Sequence, residues 1–218
     1  NTARGSSALA SAKNQACFGA PGSGGHSPAI NTTTGNLSLE VAMPSSGPIA
    51  PRPVLTYNSR TADQQANFGH GWADILNPAV TTIGSDSALL IDGIGSTYLY
   101  TDKNGSGEYL APAGTSTALK EETGGGWTAT QFNGFQHHYD SDGLLQTMQH
   151  PAGGVWTLMR SGGLLSSIAD PQGRRTTYAY DGNDNIRSIV DCAGRRMTFT
   201  VDGNDDLTSS RLRVVEVE

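Results

Sequence analysis

From Asn31 onward the chain alternates apolar and polar residues in short runs of period two, the pattern of half-buried β-strands. Leu37, Leu39 and Val41 alternate with Ser38 and Glu40; four prolines between Pro44 and Pro53 interrupt the run, and Val54 to Tyr57 resumes it. Leu89 to Ile91, Thr97 to Tyr100, Leu119 with Lys120, Trp127 to Phe132 and Gln136 to Tyr139 read as further strands. Turn signals at Gly93, Asn104-Gly105, Gly124 to Gly126 and Asn133-Gly134 separate them. No helical period longer than about ten residues competes. The pattern predicts an all-β fold with little helix.

The alternation then becomes a repeat. Asp170, Gly173, Arg174, Tyr178, Asp181 and Ile186 recur as Asp191, Gly194, Arg195, Phe199, Asp202 and Leu207, an offset of 21. One unit earlier, Leu145, Met148, Pro151 and Gly153 match Leu165, Ile168, Pro171 and Gly173 at an offset of 20, and Phe135 to Asp140 ends in the same Tyr-Asp as Tyr180-Asp181. A fixed period of about twenty residues marks stacked repeats. Within a unit, Thr176, Tyr178 and Tyr180 share one face of a strand, with Arg175, Thr177 and Ala179 on the other. The Asp181-Gly182-Asn183 and Asp202-Gly203-Asn204 turns are expected to supply the positive-φ residues of tight hairpins. A lone hairpin is not stable in water, so the units are expected to lie side by side in one sheet.

The unit Gly173-Arg174 through Tyr178, Tyr180-Asp181 and Ile186, with Asp170 ahead of it, resembles the YD repeat of Rhs proteins, toxin-complex C subunits and teneurins. Thr34 to Leu37, Leu55 to Arg60, Phe68-Gly69-His70-Gly71-Trp72, Asp92 to Gly95 and Tyr98 to Tyr100 resemble the amino-terminal part of Rhs-type chains. The resemblance implies antiparallel hairpin repeats forming a sheet or open shell. It divides the chain into a Gly/Ser/Ala-rich segment (1–30), an Rhs-like β region (31–134), the hairpin repeats (135–210) and a terminal strand (211–218). Rhs chains also cut themselves at paired Asp-Pro motifs. Only Asp170-Pro171 looks like one here, Arg174 follows where the motif has Leu, and the repeat already accounts for Asp170.

Composition narrows the function. Net charge is −6 and no basic run exists, so no nucleic-acid partner is expected. The apolar runs are too short to cross a bilayer as helices, and no membrane insertion is expected. With no visible signal peptide and a start at Asn1, the chain fits a processed protein or a fragment, and we expect it to be secreted or at the cell surface. Cys17 and Cys192 are candidates for a disulfide pinning the amino-terminal segment to the repeats.

Candidate chemistry is sparse, and neither catalytic residues nor a resident cofactor is expected. His137 and His138 are adjacent on a strand and face opposite ways, so they cannot share a metal; His137 reads as packed beside Phe135 and Tyr139. Asp181, Asn183 and Asn185, and likewise Asp202, Asn204 and Asp206, stand at positions 1, 3 and 5, as in a calcium loop. The later EF-hand positions do not follow, and hairpin-turn chemistry accounts for the same residues, so calcium stays a secondary candidate. Asn31, Asn36 and Asn104 open glycosylation sequons.

Three functional readings remain open. The first is a non-enzymatic structural protein whose sheet forms a wall and self-associates through its edges, with the terminal strand as the route. The second is an adhesion module binding glycans or other surface proteins, with Tyr98, Tyr100, Tyr109 and Trp127 as candidate stacking aromatics. The third is the amino-terminal shell fragment of an Rhs-type polymorphic toxin.

Overall fold

The computed structural model describes residues 29–32, 35–94 and 96–213. They form seventeen strands in three antiparallel sheets, with one 3-10 turn at Ser59–Thr61. The first sheet holds β1 (Ala29–Asn31), β2 (Asn36–Ala42), β3 (Val54–Asn58) and β4 (Trp72–Asp74). The second holds β5 (Ala79–Ile83), β6 (Ser87–Ile91) and β7 (Thr97–Tyr100). The third is a ten-stranded meander in sequence order: β8 (Ala118–Glu121), β9 (Trp127–Thr130), β10 (Gln136–Tyr139), β11 (Leu145–Gln149), β12 (Val155–Ser161), β13 (Leu164–Ala169), β14 (Arg175–Tyr180), β15 (Ile186–Val190), β16 (Arg196–Val201) and β17 (Leu207–Arg213). The repeats do stand side by side as hairpins of one sheet, and the sheet continues without a break through β8 and β9.

Alternation places the core. Thr176 and Tyr178 of β14 and Met197 and Phe199 of β16 are buried, while Arg175, Thr177, Arg196 and Thr200 are exposed. The shorter strand of each hairpin departs from strict alternation. Leu145 and Met148, Leu165 and Ile168, and Ile186 and Ile189 are all buried, although three positions apart. A register shift lies in each of these hairpins: Tyr139 pairs Leu145 while His138 pairs Thr147, and Tyr180 pairs Ile186 while Ala179 pairs Ser188. The skipped residues Gln146, Ser166, Arg187 and Thr208 are β-bulges at one place in every unit. Each bulge resets the alternation, so both apolar residues face the core.

The turns differ in detail from expectation. The positive φ falls on Asp184 (63°) and Asp205 (59°), not on the neighbouring Gly182 and Gly203; Gly173 and Gly194 hold the corresponding place in the other turns. This is a type I turn closed by a left-handed residue, a conformation Asp tolerates better than most side chains.

The first sheet packs across the inner face of the third. Val41, Met43, Leu55 and Phe68 join Leu165, Ile168, Tyr178, Ile189 and Phe199 in one hydrophobic cluster. Each such buried side chain contributes roughly 1.5–3 kcal/mol. The second sheet is tied to the third at both ends. Thr101 bridges Leu110, Glu108 bridges Lys120, and the Val80 amide donates to the Gly143 carbonyl at 2.8 Å.

The terminal strand starts earlier than expected, at Leu207, and pairs along its length with β16. Residues 214–218 of the expected strand lie outside the described residues, as does nearly all of the 1–30 segment, including Cys17. The Cys17–Cys192 pairing therefore falls outside them too; Cys192 sits half-buried in the turn before β16.

Candidate functional site

The repeat turns are one device used many times. Asp181 Oδ1 accepts from the amides of Asn183 (2.9 Å) and Asn185 (3.0 Å); Asp202 Oδ1 does the same with Asn204 (2.8 Å) and Asp206 (3.1 Å). Asp140, Asp170 and Asp191 repeat the pattern. Positions 1, 3 and 5 are thus acceptor, donor and donor of one Asx-type turn. Among the described residues no group of three or more His, Cys, Asp or Glu side chains is placed to hold a metal. Asn185 is buried and its amide nitrogen reaches Asp205 Oδ1 at 3.1 Å, linking two successive turns.

Two of the turns carry an internal ion pair. Arg174 Nε reaches Asp170 Oδ2 at 2.7 Å, and Arg195 reaches Asp191 at 2.7 Å. Burial opposes the charge on both carboxylates, but hydrogen bonds from the arginines and turn amides (and from Ser46 to Asp191) hold their pKa values below the usual 3.8. Arg195 also donates to the Pro44 carbonyl and to Ser46 Oγ, so this turn grips the proline-rich crossover of the first sheet. Asp170, the one Asp-Pro aspartate, spends both oxygens on its turn.

The segment that resembles the Rhs amino-terminal motif docks on the other row of turns. The Ile186 amide donates to Asn67 O (2.7 Å), the His70 amide to Asp205 O (2.8 Å), and Gln65 to Asp205 Oδ2 (2.6 Å). A Cβ at Gly69 would sit 2.8 Å from the Leu207 amide nitrogen, so a side chain cannot stand there. No local signal in the sequence identified this contact, because its partners are about 120 to 140 residues apart.

Of the candidate stacking aromatics, Tyr100, Tyr109 and Trp127 are buried and cannot present a face to a sugar; they serve the core. Tyr98 is half-buried and lines a cleft of about 290 Å³ with Asp92, Gln131, His137 and Tyr139. His137 and His138 do point to opposite faces: His137 packs edge-on against Phe135, with ring centroids 5.5 Å apart, while His138 Nδ1 meets Thr128 Oγ1 at 3.1 Å. Burial, with His138 adding to it, lowers the His137 pKa to about 4. Asn31 and Asn36 are buried, and Asn104 caps a turn through Oδ1.

The two borders of the large sheet differ. β8 is covered, since the Tyr109 amide donates to Leu119 O and the Glu121 amide to Gly107 O. Among the described residues no strand pairs with the far side of β17.

No curated protein matches this chain. No helix among the described residues is long and apolar enough to cross a membrane. Residues 161–196, spanning β13 to β15 and the turn into β16, match the family model of the RHS repeat. The same hairpin and the same bulge stand on either side of that segment, so the match to the RHS repeat extends in structure to the neighbouring hairpins of the sheet.

Proposed function

We propose that this chain is a non-enzymatic wall module, secreted or carried at the cell surface, whose sheet is extended at the β17 edge by another strand. The observation that carries this reading is the ten-stranded meander, which adds one hairpin per repeat and ends on a strand with an unpaired outer side among the described residues. Unpaired edge amides and carbonyls are a template for strand addition. The mechanical rather than catalytic reading is supported by the repeat aspartates, whose oxygens are spent on turn amides and arginines.

Light scattering on the purified chain over a concentration series tests it. Successive amides of an antiparallel strand point to opposite sides. Of Ser209→Pro and Ser210→Pro, one therefore removes a donor on the open side and the other a bond to β16. The expected result is concentration-dependent growth that the open-side proline abolishes without lowering the melting temperature. A chain that stays monomeric at every concentration overturns edge assembly. The same edge would accept further repeats of a longer parent chain, so the length of the native protein separates a polymerising wall from a toxin shell.

A further inference from the structure

The cleft between the second sheet and strands β9 and β10 is lined by polar groups that the fold leaves without partners. It measures about 290 Å³ and has an apolar floor of Ile75, Pro78, Leu90, Ile94 and Ala129. One wall is drawn tight by backbone contact: a Cβ at Gly93 would stand 2.2 Å from Ile75 Cα, so only glycine fits there.

Tyr139 stands apart from the other packed tyrosines. Tyr98, Tyr100, Tyr109, Tyr178 and Tyr180 each donate their hydroxyl to a carbonyl or carboxylate. Tyr139 is 5% exposed and lines the cleft, yet its hydroxyl has no hydrogen-bond partner among the described residues. His137, two residues earlier on the same face of β10, likewise has none on its ring nitrogens, and the side-chain amide of Gln131 has none. Buried polar groups are nearly always paired, so an unpaired one facing a cavity marks the place of a missing partner.

Charge selects that partner. Asp92 lines the cleft, and no Lys or Arg does. Its Oδ1 is fixed by the amides of Ile94 (3.0 Å) and Ser96 (2.8 Å), and the Tyr98 hydroxyl reaches Oδ2 at a long 3.4 Å. Burial first, then Tyr100 and Asp92, push the Tyr139 phenol above its usual 10 and keep it protonated. Burial, with His138 adding to it, holds His137 at about 4, so its imidazole is neutral at physiological pH and offers a lone pair. An anion would meet a carboxylate here and no cation to balance it. An alkylammonium is a donor only; it finds acceptors in Tyr139 and His137, the Asp92 charge alongside, and the rings of Tyr98 and Tyr139 within the same cleft. The volume lies at the low end for ligand cavities and suits a body of about one or two rings.

We infer that this cleft binds a small aromatic primary amine, its ammonium held by Tyr139 and His137 beside Asp92 and its ring laid on Ile75, Pro78 and Leu90. The site shares no residue with the β17 edge and is independent of edge assembly.

The test is calorimetric titration of the intact chain with tryptamine, tryptophol and indole-3-acetate, which share a ring and carry a cationic, a neutral and an anionic head. The expected result is saturable one-to-one binding of tryptamine with a Kd below about 1 mM, and binding at least roughly tenfold weaker for the other two. Tyr139→Phe and Asp92→Asn are each expected to weaken tryptamine roughly tenfold. Tyr139→Phe should melt no lower than the wild type, because the hydroxyl has no internal bond to lose. No tryptamine binding, which would leave the cleft to water, overturns the inference. So does equal binding of tryptophol or indole-3-acetate, an affinity that survives Tyr139→Phe, or a Tyr139→Phe chain that melts lower. Light scattering on Tyr139→Phe keeps the two readings apart, since edge assembly is expected to persist when amine binding is lost.

Discussion

The Tyr178 hydroxyl donates a 2.8 Å hydrogen bond to Asp74 Oδ2, across 104 residues of sequence and between two sheets. Both side chains are buried, and Leu76 supplies a backbone amide to the other carboxylate oxygen at 3.0 Å. The bond fixes the last strand of the first sheet over the first Tyr of a repeat. Tyr178→Phe leaves the carboxylate without one donor and is expected to cost about 1–3 kcal/mol in chemical unfolding. Tyr180→Phe removes a bond to the Leu165 carbonyl, at the half-buried end of the strand, and should cost less. Equal losses would show that the contact between sheets carries no special weight.

Two buried groups pull the pH dependence in opposite directions. Burial, offset only partly by hydrogen bonds from Leu76 and Tyr178, raises Asp74 from 3.8 to about 6. Its stabilising contribution is therefore full below about pH 4 and lost as pH rises through 6, a change on the order of 3 kcal/mol. His137, lowered from 6.5 to about 4, works the other way: its contribution is full above 6.5 and lost as pH falls to 4. The wild-type melting temperature should vary little across this window. Asp74→Asn should make it climb with pH, and His137→Gln should make it fall. Variant profiles parallel to the wild type would refute the assignment.

The bulges make a sharper prediction about sequence. Arg187 is exposed, so Arg187→Ala should change stability by no more than about 0.5 kcal/mol. Deleting Arg187 instead shifts the rest of β15 by one residue and turns Ile189, fully buried against Tyr178, toward solvent. The deletion is expected to abolish cooperative unfolding, followed by near-ultraviolet circular dichroism.

Gly69 and Gly84 separate backbone strain from contact. Both have positive φ, but a Cβ at Gly84 meets nothing within 4 Å, whereas at Gly69 it meets the Leu207 backbone. Gly84→Ala should cost about 1 kcal/mol for the left-handed conformation alone. Gly69→Ala should cost more and speed hydrogen exchange at the Ile186 and His70 amides, which hold residues 67–70 to the repeat turns. Unchanged exchange there would show that the docking does not depend on close backbone approach.

The two ion-paired turns should respond unequally. Neither Asp170 nor Asp191 has exposed side-chain surface, but Arg195 is only 18% exposed while Arg174 is 36% exposed. Arg195→Met strands a buried carboxylate and releases the Pro44–Ser46 crossover, for an expected loss of about 3–5 kcal/mol. Arg174→Met, whose partner regains some water, should lose clearly less. Guanidinium chloride unfolding of the pair measures the difference.

Much of this architecture is local chemistry and could be read from the chain. Alternation in Arg175 to Tyr180 and Arg196 to Val201 determined which faces are buried, and the 21-residue offset determined that the hairpins are equivalent and adjacent. Both follow from the pleat, in which side-chain direction is set by position along the strand. The tertiary structure decided what depends on groups distant in sequence. The three-residue spacing of Leu165 and Ile168 breaks the period of two, and only pairing with the neighbouring strand reveals the bulge that reconciles it. The choice of Asp184 rather than Gly182 for the left-handed position is a property of the closed turn. Burial of Tyr100, Tyr109 and Trp127 and the hold of Arg195 on Ser46 arise when sheets stack and strands fall into register. Alternation assigns a side chain to a face; the packing of one sheet on another decides whether that face meets core or solvent.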